Sequence, residues 1–377
     1  MRALIDYRPA LRERSGVGEY TYELARALLG LGGAADASRP LELVLFSSSW
    51  KDRFELPPAL SGATAIDRRV PVSVLNFAWH RAEWPSIERL TSSHFDVVHS
   101  PHPLLIPSQQ AACLVTIHDL DFLAHPERTR AEIRRDYPAL ARAHARRADG
   151  IIVSSPFTAR EVEQQFDVPI ARIAVCPAGA PPWPPRASTP GEGGYLLFLG
   201  TLEPRKNVAG LLDAYETLLA KRRDVPSLLL AGRATDAARA SLERLARPPL
   251  FGKARHVGYV DPAKRRALYE GARMLIQPSF EEGFGMTVLE AMAVGIPVVA
   301  ANRGALPDVL GEAGILVDPD EPAQIAVAIE RVLDDDALAS ALSAKGVLRA
   351  GQFSWTTTAE RVYLAYQRAI EHRCALA

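Results

Sequence analysis

Nearly every position is apolar in a series of short runs along the chain. They are Ala3-Leu4-Ile5, Leu41 to Phe46, Asp96 to His99, Leu114 to Ile117, Gly150 to Val153 and Ile173 to Cys176. The series continues with Tyr195 to Leu199, Ser227 to Ala231, Met274 to Ile276, Val298 to Ala300 and Ile315 to Val317. Runs this short, without polar alternation, read as strands covered on both faces, as in parallel sheets. Helical spacing fills the intervals. Glu19 to Leu29 aligns Tyr22, Leu24, Ala25 and Leu28, and Glu321 to Leu333 and Ala337 to Gly346 follow the same rule. Near the end, Thr356 to Thr358 predict a capping region for a helix striped by Val362, Tyr363, Ala365, Tyr366 and Ile370. The fold class is therefore α/β. The alternation is broken by Ala180-Pro181-Pro182-Trp183-Pro184-Pro185, whose prolines predict a stiff extended spacer. The expected division is 1–180, a Pro-rich linker over 181–194, a second domain over 195–355, and a closing helix over 356–377.

The most informative stretch is Leu275 to Pro297, LIQPSFEEGFGMTVLEAMAVGIP. Pro278 and Ser279 stop a strand, Gly283 and Gly285 permit a tight turn close to a ligand, and Met286 to Val294 is helical, with Gly295-Ile296-Pro297 ending it. A glycine loop thus delivers a helix N-terminus to the carboxyl end of a strand, where unpaired N–H groups suit a phosphate. Glu282 and Glu290, eight positions apart, supply acceptors for a nucleotide's hydroxyls. A second strand–turn–helix contains Gly16 and Gly18. A dinucleotide fingerprint needs a third glycine where Thr21 stands, and the next strand ends in Ser47-Ser48-Ser49 without an acid, so an NAD enzyme is disfavoured.

Length and charge narrow the picture further. At 377 residues the chain can hold two cores. Lysine plus arginine (44) equals aspartate plus glutamate (44), which argues against a general nucleic-acid binder. Cys113, Cys176 and Cys374 form no C-x-x-C pair, and the first two sit in apolar runs as expected for buried thiols. The N-terminal apolar run is too short for a signal peptide, and no apolar stretch spans a bilayer, so a cytoplasmic protein is expected.

The motif EEGFGMTVLEAMAVGIPVV resembles the EGFG-x-x-x-LEA(M/A)A-x-G-x-PVV block of the family 4 retaining glycosyltransferases, the "group 1" enzymes of GT-B fold, and the resemblance covers nearly the whole chain. It implies two Rossmann-like domains facing across a cleft, with the closing helix crossing back to the N-terminal domain. It implies transfer of a hexose from a nucleotide diphosphate sugar to an acceptor hydroxyl with retention, without a metal or other cofactor. Residue by residue, Gly16 and Gly18 close over the donor diphosphate. Arg205 and Lys206 in GTLEPRKN hold it, with N–H groups around Gly283, Phe284, Gly285, Met286 and Thr287. Main chain at Tyr259 and Val260 borders the base. Glu282 takes sugar hydroxyls, Glu290 takes ribose hydroxyls, and His118 of HDLDF lies close to the transferred sugar. Many members of this family carry Gly-Arg where this chain has Gly200-Thr201, which shifts weight onto Arg205. Likeness of GTLEPRKN and SGVGEYTYEL to mannosyltransferases of surface-polysaccharide assembly makes GDP-mannose the first expectation for the donor, with UDP- and TDP-sugars open. A lipid-linked saccharide is the expected acceptor class. A GT-B sugar-nucleotide epimerase and a non-catalytic sugar-nucleotide-binding module are the alternatives.

Three segments carry a bland and a sharp reading. Phe77, Trp79 and Trp84 in Val72 to Leu90 read as core aromatics, or as a surface for acceptor or membrane. Arg130, Arg134, Arg135, Arg142, Arg146 and Arg147, in an expected helix from Thr129 to Asp149, read as a solvated face, or as a contact for anionic membrane at its inner face. Asp119-Leu120-Asp121 spells the D-x-D of metal-dependent GT-A enzymes and reads as coincidence, and Asp334-Asp335-Asp336 reads as a helix boundary.

Overall fold

The computed structural model describes residues 1–11, 14, 16–33, 41–125, 136–191 and 193–376. The chain forms two compact units, Met1–Gly179 with Ser354–Ala377, and Ala180–Phe353.

The first unit is built on seven parallel strands: β1 (Arg2–Asp6), β2 (Glu42–Ser48), β3 (Thr64–Arg68), β4 (Val97–Ser100), β5 (Ala112–Ile117), β6 (Gly150–Val153) and β7 (Ile173–Val175). Their spatial order is β3-β2-β1-β4-β5-β6-β7, so the chain reverses its direction of winding between β1 and β4. The interiors of β1, β2, β4, β5 and β6 are buried, as apolar runs require, whereas the edge strands β3 (TAIDR) and β7 are largely half-buried or exposed. The helix Val17–Gly33 and the C-terminal helix Trp355–Leu376 pack together on this sheet. A buried polar chain ties the C-terminal helix to the strands: His99 Nδ1 lies 2.8 Å from Tyr366 Oη, and its Nε2 lies 2.7 Å from Thr116 Oγ1. Burial presses the His99 ring down to about 3, so it stays neutral and serves the packing.

The second unit repeats the plan with β8 (Tyr195–Leu199), β9 (Leu228–Ala231), β10 (Ala254–His256), β11 (Ala272–Gln277), β12 (Val298–Ala301) and β13 (Ile315–Val317), in the order β10-β9-β8-β11-β12-β13. All pairings are parallel. Its switch point lies between β8 and β11. Ligands bind beyond the carboxyl ends of strands at such points.

Several expectations need correction. The strand β10 (Ala254–His256) is not among the apolar runs, and Gly258 follows it at φ +73°, its carbonyl accepting from Gly232 N–H at 2.8 Å. The proline-rich segment is not a free spacer. Arg186 N–H donates to the Val294 carbonyl (2.9 Å), Arg186 Nη1 donates to the Ala272 carbonyl (2.6 Å), and the Trp183 ring lies 6.1 Å from Tyr269, so it is strapped along the second unit. The last helix starts at Trp355 with Ser354 Oγ accepting from Thr356 N–H. Thr358 lies inside the helix, its hydroxyl donating to the Pro177 carbonyl at 2.6 Å. Asp335 caps the helix Asp336–Ala350 through Leu338 N–H.

Of the three aromatics, Trp79 is core, its indole N–H donating to the Pro85 carbonyl, whereas Phe77 and Trp84 are 70% and 62% exposed. The core reading holds for Trp79 alone. The helix Val72–Ala82 has two faces, and Phe77 lies opposite the buried Leu75 and Trp79. The arginine helix spans Tyr137–Arg147; Arg130, Arg134 and Arg135 lie outside the described residues. Arg142 and Arg146 donate to the carbonyls of Gln165 and Phe166, and Arg147 pairs with Glu83.

Candidate active site

In the second unit the loops after β8 and β11 are stitched together at the switch point. Phe280 N–H donates to the Arg205 carbonyl at 2.8 Å. Asn207, held at φ +53° where asparagine is tolerated, caps the helix Val208–Lys221 through Gly210 N–H and donates its own amide to the Pro319 carbonyl. That turn places Arg205 and Lys206 side by side over the β11 loop.

Both basic residues converge on Glu282. Lys206 Nζ reaches Glu282 Oε1 at 2.5 Å, and Arg205 Nη1 stands 3.6 Å from Oε2 while its Nε holds Glu203 at 2.7 Å. Gln277 Nε2 and Ser279 Oγ also donate to Glu282 Oε1, each at 2.9 Å. Glu282 is almost wholly buried. Burial alone would raise its carboxyl, but Lys206, then Arg205, hold it down at about 2. Burial and the neighbouring Arg205 pull the Lys206 ammonium below its ordinary value, against the pull of Glu282.

The backbone around Glu282 is tightly specified. Its carbonyl accepts from Ala305 N–H at 2.8 Å, and Gly304, at φ +60°, packs so closely that a Cβ there would stand 2.5 Å from that carbonyl oxygen. Gly285, at φ +101°, introduces the helix Met286–Val294 with no side-chain cap, so the first-turn N–H groups lack both an intrahelical and a side-chain capping partner. Thr287 lies in that turn, with its hydroxyl 3.4 Å from Gln277 Oε1.

Glu290 stands apart from that lattice. Arg265 Nη1 donates to its Oε1 at 2.6 Å and Tyr269 Oη to its Oε2 at 2.8 Å. Burial and the adjacent carboxylate raise the Tyr269 phenol well above its ordinary value, so it remains a donor. Tyr259 and Val260 are half-buried on the loop between β10 and the helix Pro262–Glu270.

The remaining expected residues belong to the first unit. Gly16, at φ +52° and exposed, leads into the helix Val17–Gly33, where Gly18 is buried in the first turn. Tyr20, two residues on, meets His118 edge to face at 4.9 Å. His118 Nε2 lies 3.2 Å from the Pro101 carbonyl, and since a carbonyl can only accept, Nε2 carries the proton. Burial lowers the ring's affinity for a second proton, leaving a neutral imidazole whose Nδ1 is an acceptor. At the switch point itself, Asp6 ends β1 fully buried, chelated by Arg8 (2.6 and 2.8 Å) and approached by His102 Nε2 (3.1 Å). Burial opposes ionisation of Asp6, yet Arg8 and His102 draw its carboxyl far below the usual range.

Residue-level reasoning missed Gln277, Ser279, Arg265, Tyr269 and the Asp6–Arg8–His102 group. One signal was available: an aspartate closing the apolar run RALID.

Residues 14–182 match the profile of Glycosyltransferase Family 4, and residues 193–335 that of Glycosyl transferases group 1. A glycogen synthase of Mycobacterium tuberculosis is 31% identical over 72% of this chain and 69% of its own length. The chain belongs to this glycosyltransferase family. As a family 4 glycosyltransferase it is a hexosyltransferase of GT-B fold. O-antigen chain mannosyltransferase B of Escherichia coli is 29% identical over 97% of this chain and 100% of its own. The sucrose-phosphate synthase structure from Thermosynechococcus elongatus superposes with a TM-score of 0.76 at 22% identity, over 97% of this chain and 98% of that one.

Proposed function

We propose that this glycosyltransferase moves mannose from GDP-mannose to a hydroxyl of a growing, lipid-linked saccharide, retaining the anomeric configuration and needing no metal. The observation that carries the reading is the lattice of Arg205 and Lys206 on Glu282 beside the uncapped helix at Gly285. Donors fixed before reaction stabilise charge as it develops on the leaving diphosphate. The likeness to an O-antigen mannosyltransferase across the whole chain supports mannose and a polysaccharide acceptor.

The roles in this reading are those the family resemblance assigns. Arg205, Lys206 and the N–H groups of Met286 and Thr287 hold the diphosphate, a group to which the family resemblance also assigns Gly16 and Gly18. Glu282 keeps Oε1 on Lys206 and turns Oε2 toward hydroxyls of the transferred sugar. Glu290 takes the ribose, and main chain at Tyr259 and Val260 borders the base. His118, neutral with an acceptor Nδ1, stabilises positive charge at the anomeric carbon. Departure of the diphosphate and attack by the acceptor occur on the same face, and the diphosphate takes the acceptor's proton.

Thermal-shift measurements with GDP, UDP, TDP and ADP test the donor, since a ligand stabilises by RT ln(1 + [L]/Kd). GDP should give the largest rise in Tm. Transfer from GDP-mannose should persist in excess EDTA and yield the α-anomer by NMR. Activity abolished by EDTA and restored by manganese would overturn the phosphate-site assignment.

A peripheral contact with the inner face of an anionic membrane is part of the proposal. It rests on the exposed Val74, Phe77 and Trp84, since Arg142, Arg146 and Arg147 lie against protein carbonyls and acids.

A further inference from the structure

We infer that Arg265 is a positioning residue: with Tyr269 it orients the Glu290 carboxylate for the ribose diol of the donor, so the enzyme distinguishes a ribonucleotide from one lacking those hydroxyls. The inference rests on the ribose role given to Glu290 above.

Arg265 and Tyr269 lie four residues apart on the helix Pro262–Glu270, hence on one face. Each takes one oxygen of the same carboxylate, Arg265 Nη1 on Oε1 at 2.6 Å and Tyr269 Oη on Oε2 at 2.8 Å. Tyr269 is fully buried, Glu290 is 5% exposed and the Arg265 side chain 11%. The two donors fix the carboxylate plane from the side of the Pro262–Glu270 helix. Each carboxylate oxygen can accept more than one hydrogen bond, so this clamp is compatible with a diol arriving at the same oxygens.

The placement matches a nucleotide. Glu290 sits about one helical turn beyond the first-turn N–H groups at Met286 and Thr287, which puts a diol acceptor next along from the anion site. An unclamped glutamate would have to surrender its rotamer freedom on binding; here the protein has already done so. The adjacent Arg266 makes an ordinary surface pair with Glu270, 2.9 Å apart, whereas Arg265 is drawn inward to an acid 25 residues away.

The test is isothermal titration of the full chain with GDP and UDP, each beside its 2′,3′-dideoxy counterpart. Wild type should prefer whichever ribonucleotide it binds over its dideoxy form. Arg265→Met should weaken the ribonucleotide about tenfold, leave the dideoxy form unchanged, and raise donor KM with little change in kcat. Arg265→Lys should restore part of the preference, and Arg265→Met should add little to Glu290→Gln. If Arg265→Met weakens both forms equally, or binds both as wild type does, the inference is overturned while the nucleotide site stands. If wild type binds none of these diphosphates, the donor reading falls and this inference falls with it.

Discussion

Lys206 and Glu282 are mutually dependent. Removing Lys206 strands a buried carboxylate and, on the proposed function, takes a donor from the diphosphate. Lys206→Ala should reduce kcat/KM by roughly a hundredfold, about 3 kcal/mol, as for loss of one oxyanion donor, and should also lower Tm. Arg205→Ala should be comparably harmful, because Thr201 stands where many of the family carry arginine. Steady-state kinetics with a defined donor, beside thermal melts, separate the two effects. The depressed Glu282 carboxyl gives a pH signature. Its pKa falls from an unfolded 4.5 to about 2. The group therefore contributes stability that is full above pH 4.5 and is lost as pH drops through 2, on the order of 3 kcal/mol. Wild type should lose Tm relative to Glu282→Gln across that window, and parallel curves would contradict the pairing. Glu282 and Glu290 could be singled out as candidates because glycines and acids there follow a known motif, and Lys206 because GTLEPRKN resembles the family's basic pair. Arg265 and Tyr269 could not: periodicity marks their helix but does not reveal that one face of it meets a carboxylate 21 to 25 residues later.

At the scale of elements, the glycines set the loops. Gly304→Ala would force a Cβ against the Glu282 backbone at a positive φ, and Gly285→Ala would drive one to within 2.7 Å of Leu306 Cδ2. Each should cost about 1–3 kcal/mol and weaken nucleoside diphosphate binding, though neither side chain touches the ligand. Differential scanning fluorimetry with and without GDP measures both. The exposed apolar side chains on and just beyond the helix Val72–Ala82 make a separate expectation. A Phe77→Ser/Trp84→Ser double variant should float less with anionic vesicles, and the loss should persist at high salt, because apolar insertion is not screened as charge attraction is. The buried strands were legible because they are apolar throughout, whereas the edge strands β3 (TAIDR) and β10 (ARH) carry polar residues and little burial and were not. The faces of the helix Val72–Ala82 were hard to read too, since three aromatics within eight residues look alike until a partner surface decides which of them it covers.

At the scale of the molecule, the repeated strand–helix alternation made two parallel-sheet units readable, and the order of strands within each sheet follows from the pairings alone. No described helix is long and apolar enough to cross a membrane. The closing helix Trp355–Leu376 is held by the His99–Thr116–Tyr366 chain, so Tyr366→Phe should leave His99 Nδ1 without its hydroxyl partner and cost about 1–3 kcal/mol, read as a fall in Tm. Because residues 354–377 follow the second unit in sequence, the first unit is completed after the second on the ribosome. The second unit is continuous in sequence and can close as soon as it emerges, while the first waits for residues 354–377. At 5–20 residues per second, the roughly two hundred residues after Gly179 take about 10–40 s. Through that interval β5, β6 and the helix Val17–Gly33 present an uncovered apolar strip, and nascent chains that stall short of Trp355 should be the preferred clients of chaperones and proteases.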